Sequence, residues 1–381
     1  MAEARAEHLH EIDVIRILTF GAVIAVHAIA FTEQPANRLA AGGLMVLQFG
    51  RELFFALMGF VLVYSAPRRY PGARTFWRRR FPLVATPYVV WTLVYRADGA
   101  LTGHPSGHGL LSDLLTGNAE YHLYFLLVTM QLYLAFPLIL RLVRATASRA
   151  GTVLAVVGVL NVAWLAALHD VTPTAPWAAA LWGRAYELLP TYAVYVLAGC
   201  YAAVHVDRLR PLLRRRSRSL VAVGLGSAAL AVVAYAVQLS DRAPRDAADV
   251  LQPGMLLTCL AATLLLSVAG ARWSDGARRS ERLVAEASDI SFGVYLAHPL
   301  VLQLLLSAGL GNAGQRVPAP LSTVAAFLGA AAGAIAITLV ARRTPLSLAL
   351  TGRLRPEPSE LPAVAQPPLP VLSPREATIP S

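Results

Sequence analysis

The sequence predicts an all-α, polytopic transmembrane helical bundle of about ten helices with both termini cytoplasmic, and three observations carry that prediction. The 381 residues are 56% hydrophobic and 14% charged, with a mean hydropathy of +0.55, a balance that soluble chains of this length do not keep. The apolar residues gather into stretches near the roughly 20 that a helix needs to cross a hydrocarbon core. The positive charges alternate between rich and poor connections, as the positive-inside rule requires.

In order, the stretches are residues 12–31, 42–65, 82–95, 121–142, 151–168, 186–205, 219–239, 250–270, 290–308 and 321–341. The third is short and carries Pro82 and Pro87. With the N-terminus in the cytoplasm, the arginine-rich connections at 68–80, 141–149, 208–218 and 272–282, and the segment from Arg342, all fall on that side. The opposite connections hold Arg38, Arg96, Arg184, Arg242, Arg245 and Arg316. A missed or invented helix would invert this pattern midway.

The chain thus divides into a cytoplasmic N-terminus (1–11), a ten-helix membrane domain (12–341) and a cytoplasmic tail (342–381), basic at first and then proline-rich and disordered. The formal charge of +11 is carried by arginine, with no lysine, and sits in short loops. It marks orientation and implies no nucleic-acid partner. Cys200 and Cys259 fall within apolar stretches and imply neither a disulfide framework nor a metal site. The first stretch is full length, is interrupted by Arg16 and lacks a small-residue cleavage site, so it does not read as a signal peptide. Chemistry therefore has to take place among the helices.

Five places hold polar groups that a simple anchor would not. Arg16 and His27 are eleven residues apart, on nearly one helical face with about 16 Å of rise between them. Facing lipid, each would cost on the order of 3 kcal/mol, so the face turns towards a cavity or other helices. The alternatives are a snorkelling Arg16 and a His27 that packs helices by hydrogen bonding. Arg51 and Glu52 lie near mid-membrane and point about 100° apart, so they need not pair with each other and either is free to pair with a neighbouring helix. Arg78, Arg79 and Arg80, beside Trp77 and Phe81, either mark topology or offer fork-shaped donors to phosphates. His122 enters from the outer side between Tyr121 and Tyr124, at about the level that His27 reaches from the other direction. Ser291, Tyr295 and His298 follow at i, i+4 and i+7 and share a face, as cavity lining or as polar glue between helices. The histidines sit in different stretches without ligand spacing, so no metal is implied.

Four ordered pieces together resemble acyltransferase family 3, the integral-membrane acyltransferases that decorate bacterial surface glycans. They are Asp13-x-x-Arg16 followed by His27, the FFALMGF run at 54–60, the RRRFPLVATPY run at 78–88 and the ISFGVYLAH run at 290–298. The HLYFLLVTMQLYLAFPLI stretch is similar to the fourth-span region of members related to exopolysaccharide-modifying enzymes. The resemblance covers residues 11–341, with two departures. Met58 stands where the family often has serine before the glycine, and Leu83 stands three positions after Arg80, where the family commonly shows a second arginine.

The resemblance implies a multi-pass enzyme of the cell (inner or plasma) membrane. It would take an acyl group, most commonly acetyl, from cytoplasmic acyl-CoA to a hydroxyl of an extracytoplasmic carbohydrate. The acceptor would be a polysaccharide, a lipid-linked sugar, a glycolipid or the sugar of a secreted metabolite, and no cofactor would be held permanently. In that scheme His27 is the general base or a transient acyl carrier, Arg16 orients the donor or stabilises the oxyanion, and Arg78, Arg79 and Arg80 are donor-binding candidates. The competing reading is a transporter or exporter with Arg51, Glu52 and His298 on a proton or substrate pathway, against which stands the lack of paired half-repeats with broken helices.

Overall fold

The computed structural model describes residues 8–67, 70–276, 280–311 and 317–355. The helices are α1 (His10–Thr32), α2 (Arg38–Leu47), α3 (Phe49–Tyr64), α4 (Ala73–Arg80), α5 (Pro82–Leu101), α6 (Leu110–Thr116), α7 (Tyr124–Ala145), α8 (Ala150–Asp170) and α9 (Pro176–Gly183). They continue with α10 (Ala193–Val204), α11 (Val206–Arg215), α12 (Ser217–Gln238), α13 (Pro244–Ala247), α14 (Met255–Gly276), α15 (Glu281–Leu305), α16 (Ala319–Arg342) and α17 (Ser347–Thr351). No strand occurs among the described residues.

Eight helical stretches among the described residues are long and apolar enough to cross a membrane, α2 and α3 together making one. A ninth is reached if Leu189–Val204 and Val206–Arg215, bent by 92°, form a single span. The polytopic all-α bundle is as expected, and the count falls short of ten at the third stretch. Residues 82–95 lie in α5, whose tyrosines, Trp91, Arg96 and Asp98 leave it less apolar than the others. It is nevertheless tied into the bundle: the Tyr95 hydroxyl donates to the Leu296 carbonyl at 2.7 Å and Trp91 Nε1 to the Leu350 carbonyl at 3.0 Å. Boundaries also differ, the sixth stretch reaching α-helix only at Ala193. α14 begins at Met255 rather than 250, after Pro253 and Gly254, and α15 begins at Glu281, well before 290, because its first turns are polar and give no apolar signal.

Close helix contacts rest on small residues, as expected where lipid removes the hydrophobic drive to associate. α3 meets α10 so closely that a Cβ on Gly199 would overlap the Ala56 carbonyl oxygen, and one on Gly59 the Val196 carbonyl oxygen. α16 buries Ser322, Ala326, Ala330, Ala334 and Thr338, a stripe at four-residue spacing, and it packs on α15 and α1. By contrast α8 and α12 turn Val159, Leu160, Leu225, Leu230 and Val233 outwards, where acyl chains are as good a solvent as protein.

Residues 342–355, read from the sequence as the basic stretch ahead of the proline-rich tail, pack on the bundle. α17 ends at Gly352, whose φ of +65° suits glycine, and a Cβ there would lie 2.5 Å from the Phe292 ring and 2.8 Å from the Leu83 carbonyl oxygen. Arg353 then reaches Asp289 of α15, Nη2 to Oδ1 at 3.1 Å, and Arg342 pairs with the same carboxylate. The expectations for 1–7 and 356–381 lie outside the described residues.

Candidate active site

Helices α1, α3, α7 and α15 surround two cavities that meet at Phe20, Phe54 and Phe125, which line both. The first, about 200 Å³, is lined by Arg16, Arg80 and Arg353 together with Ser288, Asp289 and Ser291. Arg16 Nη1 donates to Ser288 Oγ at 2.9 Å, and Ser288 Oγ donates onward to Asp13 Oδ1 at 2.7 Å. Asp13 is buried, so the Asp-x-x-Arg spacing holds the guanidinium to α15 through a serine that sequence reasoning passed over. Trp77 Nε1 donates to the Tyr133 carbonyl at 2.9 Å and pins α4 on α7. Arg80, three residues on and so on the same face, turns into the cavity, whereas Arg78 and Arg79 are exposed. Of the three loop arginines, Arg80 alone lines this cavity.

The second cavity, about 240 Å³, is lined by His27, His122, Arg51 and the tyrosines 121, 124 and 295. The His27 ring lies 4.5 Å from the Tyr121 ring and 5.4 Å from that of His298, centre to centre. Among the described residues no hydrogen bond engages either ring nitrogen of His27, so both are available to a ligand. His298 is fully buried behind it; Nδ1 donates to the Tyr295 carbonyl at 2.7 Å, which leaves Nε2 with its lone pair and, among the described residues, no partner. His122 stands 5.7 Å from His298 and 5.2 Å from Tyr295, ring to ring, and among the described residues neither of its nitrogens has a hydrogen-bond partner.

Arg51 and Glu52 pair with each other, one of the arrangements that their directions on the helix left open. The guanidinium folds back so that Nε donates to Oε1 at 2.9 Å and Nη2 reaches the same oxygen. It also lies 5.0 Å from the centre of the Tyr192 ring. Glu52 is buried, and its carboxylate is held by the Arg51 guanidinium. In the turn before α7, burial raises the carboxyl pKa of Glu120, which Gln303 Nε2 opposes by donating at 2.7 Å.

The sequence-derived residues are thus brought together in two groups. Arg16, Arg80 and Ser291 line one cavity, and His27, Arg51, His122 and Tyr295 the other, with Glu52 and His298 directly behind it. Arg16 and His27 share no cavity, because a rise of about 16 Å carries them to different depths. Arg353 was missed, having read as an orientation charge in a tail; the glycine at 352 is the one local sign of a turn. Among the described residues, metal-type ligands converge at His8, His10 and Asp13, with donor atoms within 4.8 Å of one another. There His8 Nε2 and Asp13 Oδ2 are hydrogen-bonded at 2.6 Å, so the same atoms already serve each other.

Nothing among the curated proteins or the solved structures matches the chain. A family model described as an acyltransferase domain, that of acyltransferase family 3, matches residues 9–341. That range takes in every lining residue of both cavities except Gly352 and Arg353, and with it the membrane-spanning helices, so the chain belongs to acyltransferase family 3 and is a multi-pass membrane acyltransferase.

Proposed function

We propose that this acyltransferase moves an acyl group, acetyl in the first instance, from cytoplasmic acyl-CoA to a hydroxyl of an extracytoplasmic carbohydrate such as a polysaccharide or glycolipid. The observation that carries the reading is the back-to-back pair of cavities, one bearing three guanidinium groups and the other a histidine with both nitrogens free. In this reading Arg16, Arg80 and Arg353 hold phosphates of the donor, since planar guanidinium forks suit phosphate oxygens. Asp13 and Asp289 keep two of them aimed at the cavity.

The acyl carbonyl lies on the histidine side. His27 takes the proton of the acceptor hydroxyl as its oxygen bonds to the carbonyl carbon. The thioester C–S bond then breaks and CoA leaves as a thiolate, which takes up the proton that His27 holds. Arg51, in the same cavity, supplies positive charge to the oxyanion that forms between those steps, and Arg16 acts on the donor. A transient acyl-histidine is the variant of this scheme, with His27 as nucleophile.

The test is transfer of label from radiolabelled acetyl-CoA to carbohydrate in membranes holding wild type or His27→Ala at equal abundance. Wild type transfers label, and His27→Ala loses at least about 100-fold in rate, the usual contribution of a positioned base. A variant as fast as wild type removes His27 from the mechanism.

A further inference from the structure

Between the cavities stands a partition made of one aromatic ring from each of four helices. Phe20 of α1 meets Phe54 of α3 at 5.0 Å between ring centres, and Phe54 meets Phe125 of α7 at 4.6 Å. Phe125 meets Tyr295 of α15 at 5.4 Å, and Tyr295 returns to Phe20 at 5.6 Å. The circuit is closed. A square with such edges has a diagonal of about 7 Å between ring centres, the outer limit of direct ring contact, so the rings themselves fill it.

The polar atom of the circuit is already committed, because the Tyr295 hydroxyl donates to the His122 carbonyl at 2.8 Å. What faces a passing ligand is therefore apolar throughout. Phe20, Phe125 and Tyr295 are buried, whereas Phe54 is half-buried, the most exposed ring of the four. Met58, one turn along α3, lines the arginine cavity, its sulfur 3.6 Å from the Thr129 hydroxyl oxygen, which donates to the Phe125 carbonyl at 2.9 Å. A thioester coming from the arginine side meets Met58 and then Phe54.

We propose that this partition selects the acyl group by size, with Phe54 and Met58 as its specificity-determining residues; the inference rests on the acyl-CoA reading above. The acyl end of the thioester enters between the rings, and the amides and nucleotide of the carrier stay on the arginine side, since an amide drawn among the rings loses water and finds no partner. The chain admitted is short, two or three carbons, because beyond the rings it shares about 240 Å³ with the acceptor hydroxyl.

The experiment compares labelled acetyl-, butyryl- and octanoyl-CoA as donors in membranes holding wild type, Phe54→Ala, Phe54→Leu or Met58→Ala. Wild type prefers acetyl to butyryl by at least about tenfold, the discrimination that one or two methylenes provide in a filled apolar site. Phe54→Ala raises the butyryl-to-acetyl ratio by about tenfold or more, with Phe54→Leu and Met58→Ala intermediate. A ratio taken within one variant does not depend on its abundance, and Phe54→Leu, which keeps apolar bulk, reports if Phe54→Ala is lost. Transfer with an unchanged ratio in the Phe54 variants overturns the selector and leaves acyl transfer standing. A wild type that transfers from none of the three donors overturns the acyl-CoA reading itself, and the selector with it.

Discussion

Replacing Arg80 by alanine is expected to raise the KM for acyl-CoA while kcat changes little, and the same change at Arg78 or Arg79 to do neither. The difference follows from one helix face: Trp77 fixes α4 on α7, Arg80 turns inward beside Arg16 and Arg353, and its two neighbours are exposed. A hydrogen bond to a charged partner contributes about 1.5–3 kcal/mol, which corresponds to about 10- to 150-fold in apparent affinity. An exposed arginine contributes about 0–1 kcal/mol and moves affinity less than about fivefold. Arg80→Lys falls between, keeping the charge and losing the two-pronged geometry. Phosphates held equally in ground and transition states move KM rather than kcat, so initial rates against acetyl-CoA concentration, normalised to protein in the membrane, give the readout. Equal effects at Arg78 and Arg80, or an unchanged KM in Arg80→Ala, would refute the placement of the donor in the arginine cavity.

Glu52→Gln leaves the Arg51 charge buried beside a neutral group; about 3–5 kcal/mol is the usual cost of breaking such a pair, so the thermal midpoint in detergent drops by about 5 °C or more, and an unchanged midpoint contradicts the pairing. Gly199→Ala forces α10 off α3 and destabilises by at least about 1–3 kcal/mol, whereas Gly158→Ala, with open space at its Cβ, does not; equal midpoints for the two refute the close contact. Glu120→Gln tests the raised carboxyl. A carboxyl whose folded pKa lies above its unfolded value destabilises the protein once pH exceeds both, so the variant is the more stable at neutral pH; its advantage begins to fade as pH falls through the raised folded value and is gone below the unfolded one. A gap independent of pH, followed by thermal unfolding between pH 4 and 8, rules that out.

The helical bundle was legible because each span announces itself locally, through about 20 apolar residues and the arginines that flank them. α5 was the exception to the composition rule for a physical reason: its tyrosines and tryptophan serve as hydrogen-bond donors to other helices, which lowers apolarity without exposing the helix. Candidate site residues were legible wherever a polar side chain interrupted an apolar run, as at Arg16, His27 and Arg51. Their grouping was not. Whether Arg16 faces the cavity of His27 or that of Arg80 depends on which helices pack at each depth, and no spacing within a span contains that. Ser288 and Arg353 were illegible for a related reason, since a serine and a tail arginine are ordinary until α15 and the turn at Gly352 carry them to Asp13 and Asp289.

One regularity was present in the sequence and acquires meaning only from the packing. On α1 the order is Arg16, Phe20, His27; on α3, running the opposite way, Arg51, Phe54, Met58; through the turn into α7, His122, Phe125, Thr129; and on α15, Ser288, Phe292, Tyr295, His298. In each case an aromatic residue falls about one turn from a polar one and at the depth of the partition. Four separate segments therefore encode the same division into cavity, wall and cavity. A wall of rings whose one hydroxyl is already bonded offers neither water nor protons a hydrogen-bonded route across. The wall thus keeps the two cavities from joining into a pore. A group that crosses must be apolar enough to replace ring contacts with its own, and this is the property an acyl chain has and a hydrated sugar or phosphate lacks.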